Sequence, residues 1–162
     1  MAYALHDFMP PSVAERVGEC HRKNQHLVLV TGVFDLLHAE HAAFLNKAKA
    51  VGDFLIVGIE SDVRVTATKG PGRPVTPQAQ RLSNLEQLHI ANCVFILPDF
   101  FGEIEARRAL IHLLKPKVLA VSSHSPHLEA KQKLLAEVGG EVKVVHQHNP
   151  AISTTQLIES AR

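Results

Sequence analysis

A chain of 162 residues, 46% of them hydrophobic, is long enough to bury one domain's core and gives no sign of a second. Against 16 Asp and Glu stand 17 Lys and Arg, which excludes the global basic field that nucleic acid or an anionic membrane surface demands, so anion binding must be local. Cys20 and Cys93 are too few for a disulfide scaffold, no apolar run reaches membrane-spanning length, and Met1 to Pro11 lack a basic or apolar leader, so a soluble cytoplasmic protein is expected.

Ser12 to Lys23 reads as a polar leading helix within a segment spanning residues 1–25, with Ser12 as its N-cap and Val13 and Val17 on one face. His26 to Val33 is almost wholly aliphatic, as suits a strand buried on both faces of a parallel sheet. A helix over Ala39 to Ala50 follows, closed by Gly52, and Phe54 to Ile59 is a second buried strand. Ser61 and Asp62 are caps for a short helix that runs out at Gly70. The glycines and prolines of Lys69-Gly-Pro-Gly-Arg-Pro-Val75 break helix and strand alike, leaving an exposed loop whose Lys69 and Arg73 are placed to fold over phosphates.

Thr76 and Pro77 open a helix to about Ile90, and Cys93 to Leu97 is strand three. Glu103 to Leu114 is an amphipathic helix stopped by Pro116, followed by strand four over Val118 to Ser122. Ser125 and Pro126 start another helix, which ends near Val138 at Gly139-Gly140, and Glu141 to Val145 is strand five. Ile152 to Ile158 reads as a loop feeding a short C-terminal helix, capped by Ser153 or Thr154. Five strand–helix alternations with short joints predict a doubly wound five-stranded parallel α/β sheet. Ligands of such sheets lie beyond the carboxyl ends of the strands, where the strand order reverses.

The stretch Val30-Thr-Gly-Val-Phe-Asp-Leu-Leu-His-Ala-Glu-His41 sits at that edge. Gly32 lets backbone approach a ligand closely, and the N–H groups of the helix that follows face the strand end, ready for phosphate. His38 and His41, three residues apart, share one helical face. Taken alone, such a pair also fits a packing role or half of a zinc site, but no third metal ligand lies nearby in the sequence. His124, His127, His146 and His148 follow strands four and five and are read first as solvated loop residues. Asp35 is expected to stabilise the turn, and Phe34 to be a core aromatic.

Gly32-Val-Phe-Asp-Leu-Leu-His38-Ala-Glu-His41 resembles the Gly-x-Phe-Asp-x-x-His-x-Gly-His signature of the cytidylyltransferase-like nucleotidyltransferases. Lys69 to Val75 with Gln80-Arg81, then Leu114 to Leu119, Gly139 to Val142 and Ser153-Thr-Thr155, resemble in order the heptose 1-phosphate adenylyltransferase branch. The resemblance implies a Rossmann-like nucleotidyltransferase fold in one domain over residues 1–162, and transfer of AMP from ATP to a phosphorylated sugar with release of pyrophosphate. It implies His38, His41, Lys69 and Arg81 as catalytic groups. Thr31, Gly32, Val33, Phe34, Asp35, Arg73, His124, Ser153, Thr154 and Thr155 are the implied nucleotide-binding residues. Mg²⁺ is expected, carried mainly by nucleotide oxygens and waters, and a homodimer or larger homo-oligomer is implied, with no nucleic-acid or membrane partner.

Two departures stand against the pattern. Glu40 occupies the second Gly of the signature, and Val121-Ser-Ser-His-Ser125 stands where the branch has Lys-Gly-Gly-Asp-Tyr. They keep two further readings open: a CTP-using cytidylyltransferase for an alcohol phosphate of the glycerol 3-phosphate type, and a nucleotide-binding module with little or no turnover.

Overall fold

A computed structural model describes residues 2–147. The elements are α1 (Pro11–Arg22), β1 (Leu27–Gly32), α2 (Ala39–Ala50), β2 (Phe54–Ile59), α3 (Asp62–Lys69), α4 (Gln78–Gln87), β3 (Cys93–Ile96), α5 (Ile104–Leu114), β4 (Val118–Ser122), α6 (Leu128–Ala136) and β5 (Glu141–His146). The five strands form one parallel sheet in the order β3-β2-β1-β4-β5. The chain steps outward from β1 to β3, crosses back, and continues from β4 to β5, so the order reverses between β1 and β4.

The aliphatic runs are explained by burial of both faces. Leu27 and Leu29 of β1, Ile56 of β2 and Leu119 of β4 pack with Val17 of α1, Leu110 and Leu114 of α5, and Leu135 of α6. Val28 and Val30, Leu55 and Val57, and Val118 and Ala120 face the other way, onto Leu45 and Ala48 of α2 and Leu85 of α4. Each such large side chain removed from water contributes about 1.5–3 kcal/mol. Edge strand β5 has no such cover on its outer residues, and Val144 is exposed. Among the described residues no helix is long and apolar enough to cross a membrane.

Local chemistry moves several predicted ends. Helix α1 begins at Pro11, whose fixed φ suits the first helical position, and Pro10 rather than Ser12 precedes it. Ser61 does cap α3, its Oγ accepting from the Arg64 N–H. Helix α4 starts after Pro77 and stops at Gln87, because His89 turns to φ 54° and cannot continue it. Lys115, left-handed at φ 47°, ends α5 one residue before the proline, and α6 starts after left-handed His127 rather than at Ser125. Short 3-10 turns at Leu5–Asp7 and Asp99–Gly102 carry no period the sequence reading detects. The predicted C-terminal helix, with Ser153, Thr154 and Thr155, lies outside the described residues, as does His148.

Candidate active site

Strand β1 delivers Thr31 and Gly32 to the carboxyl edge of the sheet, where the chain bends sharply. A Cβ on Gly32 would sit 2.8 Å from Cε2 of Phe34, so only glycine fits beneath that ring. Phe34 itself is held at φ 52°, a left-handed conformation that costs an ordinary residue about 1 kcal/mol, and its buried ring meets His41 edge-on at 5.3 Å.

His38 is the residue that caps α2 and His41 lies in its first turn. Their rings stack 3.9 Å apart at 26°, and the backbone N–H of His38 donates to Nδ1 of His41 at 3.3 Å. An Nδ1 that accepts leaves the neutral ring's proton on Nε2, so His41 presents an N–H donor. Burial, reinforced by repulsion from His38, pushes the His41 imidazole down to about 4. His38 is lowered by burial too, against the opposing pull of Glu40. The buried Nδ1 of His38 has no hydrogen-bond partner in the structure, leaving a polar atom at the cleft for a ligand to satisfy.

A second cluster lies outside the cleft. Buried Asp35 accepts from the Val75 N–H at 2.9 Å and the Thr76 N–H at 2.8 Å, and pairs with Nε of Arg73 at 3.3 Å. Burial alone would raise its carboxyl, but those two N–H groups and Arg73 outweigh it and hold the carboxyl below its ordinary value. Arg81, expected to grip a phosphate, is fully buried: it donates to the carbonyls of Thr76, Val33 and Glu60 and to Asp62 Oδ1 at 2.7 Å. Its guanidinium ties the loops after β1 and β2 to the start of α4. Lys69, at the exposed end of α3, and Arg73, folded onto Asp35, also lie off the cleft wall.

The cleft has a volume of about 380 Å³ and opens where the strand order reverses. It brings together Thr31, Gly32, Val33, Phe34, His38, His41 and His124 of the predicted set. Phe44 and Lys131, which carry no site role in the sequence reading, line it too, as do Ser125 of the departing Val121–Ser125 segment and His146, which ends β5 instead of standing in a solvated loop. Phe44 and Lys131 sit in no recognisable motif, and each arrives by the position of its helix. Glu40 also lines the wall, its carboxylate accepting from Nε2 of His146, while Nζ of Lys47 reaches Nδ1 of that ring at 3.0 Å. Among the described residues no group of three or more His, Cys, Asp or Glu converges on a metal position.

Residues 29–160 match the cytidylyltransferase-like family. The bifunctional protein HldE of Vibrio vulnificus strain YJ016 is 32% identical over 151 residues, covering 93% of this chain and 31% of the relative. The chain therefore spans about a third of the length of the curated relatives it matches. A crystal structure of the lipopolysaccharide core biosynthesis protein from Thermoplasma volcanium superposes with a TM-score of 0.60 at 25% identity, covering 77% of this chain and 97% of that one. Pantothenate synthetase from Thermus thermophilus shares the fold at a TM-score of 0.57 and 11% identity, over 87% of this chain and 65% of its own. With a match over most of its length and a glycine bend leading into paired imidazoles at the sheet's reversal point, the chain belongs to the cytidylyltransferase-like family of nucleotidyltransferases.

Proposed function

We propose that this chain transfers AMP from ATP to a phosphorylated sugar of the heptose 1-phosphate type, with pyrophosphate leaving. The observation that carries this reading is the stacked His38–His41 pair at the Gly32 bend, aimed into the cleft as neutral donors. An acceptor phosphate oxygen forms the new bond to the α-phosphorus while the bond from that phosphorus to the β-bridging oxygen breaks. The acceptor is already ionised, so no general base is required, and the protein's work is to position the reactants and stabilise charge. His41 Nε2–H donates to the triphosphate as negative charge moves toward the leaving group. With its imidazole held down to about 4, His41 keeps that neutral donor form at pH 7.

Gly32 and Thr31 admit the phosphates to the strand end, His124 flanks the nucleoside, and the hydroxyls of Ser153, Thr154 and Thr155 complete the phosphate site in this reading. Lys69 reaches the triphosphate from the exposed end of α3 in the same reading, and Arg73 and Arg81 act indirectly, through the loop they brace. Among the described residues the cleft has no all-protein cage but offers the Glu40 carboxylate as a hard oxygen ligand, which fits Mg²⁺ held mostly by nucleotide oxygens and waters. When bound with the nucleotide, that ion would neutralise part of the triphosphate charge. ATP is preferred over CTP because the Lys69 to Val75 loop resembles the adenylyl branch, and the HldE relatives support the same branch.

Glu40 on the cleft wall favours a second reading, a nucleotide-binding module without turnover. One assay separates the two. The protein is incubated with ATP or CTP and a panel of sugar and alcohol phosphates, and pyrophosphate is followed. Release that disappears in His41→Ala supports the transferase; thermal stabilisation by nucleotide with no release for any acceptor supports the module.

A further inference from the structure

The cleft straddles the sheet, and its two sides differ in chemistry. The imidazole pair approaches from α2, which packs on one face, whereas α6 packs on the other and sends Lys131 to the opposite wall. Nζ of Lys131 donates to Oγ of Ser125 at 2.8 Å, which fixes the ammonium beside the turn after β4. Lys131 is half-buried, and its surroundings include Arg107 but no carboxylate among the described residues that stabilises its charge. Glu40, the carboxylate on the cleft wall, is engaged by His146. A partly desolvated ammonium lacking a counter-ion carries an electrostatic cost that a bound anion removes. Burial, with repulsion from Arg107, accordingly lowers its affinity for the proton.

We propose that Lys131 and Ser125 form a phosphate-binding subsite on the α6 side of the cleft, distinct from the imidazole pair. The ammonium supplies charge and rotatable donors, and the Ser125 hydroxyl supplies a further donor once Lys131 turns to the anion. The ligand is a phosphate group, either the acceptor's monoester or a phosphate of the nucleotide itself. Its place in turnover rests on the transferase reading above; the binding does not. Val121, Ser122, His124 and Ser125, of the segment where this chain departs from the heptose-type pattern, lie on the same wall, so an acceptor phosphate held there would meet the departing residues.

The test is an NMR titration of the intact protein with inorganic phosphate, following backbone amides, on wild type, Lys131→Gln and Lys131→Arg. The expected result is saturable shifts centred on residues 122–131, at least tenfold weaker binding in Lys131→Gln, and partial recovery in Lys131→Arg. Equal binding by wild type and Lys131→Gln, or shifts confined to residues 32–41, overturns the proposal. The spectrum of each variant reports its folding directly. Repeating the titration with saturating non-hydrolysable ATP identifies the source. Phosphate that still binds assigns the subsite to the acceptor, and phosphate that is displaced assigns it to the nucleotide. Should wild type release no pyrophosphate with any acceptor, the transferase reading fails while this titration still supports or overturns the subsite.

Discussion

Nε2 of His146, the last residue of β5, donates to the carboxylate of Glu40 in the first turn of α2, closing the cleft on its outer side. Lysine can only donate, so the contact of Lys47 Nζ makes Nδ1 of His146 the acceptor and leaves Nε2 to donate to Glu40. Glu40 thus sets a carboxylate at the wall where phosphates are expected. Glu40→Gln should bind ATP about fivefold more tightly than wild type when calorimetry is done in EDTA. The gap should narrow as salt rises, because partly exposed charges are screened. Equal affinities at low salt would show that the carboxylate is not felt by the nucleotide.

The half-buried imidazole of His41 makes the fold acid-sensitive. In the unfolded chain it takes a proton below about pH 6.5, whereas in the folded protein it resists until about 4. Between those values the unfolded state binds more protons, so stability falls as pH drops through that window and is fully present above it. At about 1.4 kcal/mol per unit, the contribution is at most about 3 kcal/mol. Urea unfolding from pH 7.5 to 4.5 should show this loss, and His41→Asn should flatten it. Asp35 acts lower on the scale: its depressed carboxyl stabilises the fold above the ordinary carboxylate value, and that stability is lost as pH falls through its folded value. A wild-type and His41→Asn pair with parallel pH profiles would refute the assignment to His41.

The fold was legible because its signals are strong and local. Runs such as Leu27 to Val30 and Leu55 to Val57 are apolar at every position, which only a strand covered on both faces tolerates. The glycine bend and its imidazoles were equally plain, since Gly32, His38 and His41 occupy fixed offsets in one continuous stretch. The surroundings of Arg81 were not legible, for a physical reason. Sequence shows a guanidinium near a phosphate loop but not the three carbonyls that surround it, and those come from Val33, Glu60 and Thr76, far apart in the chain. Lys131 and His146 reach the cleft only because α6 and β5 end beside β4, a relationship of topology that local pattern does not carry.

Removing either imidazole should be felt in turnover more than in nucleotide binding. His38→Ala and His41→Ala should each lower kcat for pyrophosphate release by about a hundredfold, the usual effect of losing one donor to developing charge. Because the two rings stack on each other, the double variant should lose much less than the product of the two. A loss expressed only in KM would instead mean that the pair binds ground state and transition state alike.

Arg81 should behave as a structural residue. Arg81→Ala leaves three part-buried carbonyls and Asp62 without their donor, and each acceptor left unsatisfied costs about 1–3 kcal/mol. Arg81→Lys should recover little of that, because a single ammonium cannot reproduce a planar fork reaching Thr76, Val33, Glu60 and Asp62 at once. Urea midpoints measure the cost, and calorimetry on whatever fraction remains folded measures nucleotide affinity. The expected pattern is a large fall in stability with ATP affinity within about threefold of wild type. A stable Arg81→Lys protein that binds ATP a hundredfold more weakly would instead place the guanidinium on a phosphate, and would require the loops after β1 and β2 to rearrange when nucleotide arrives.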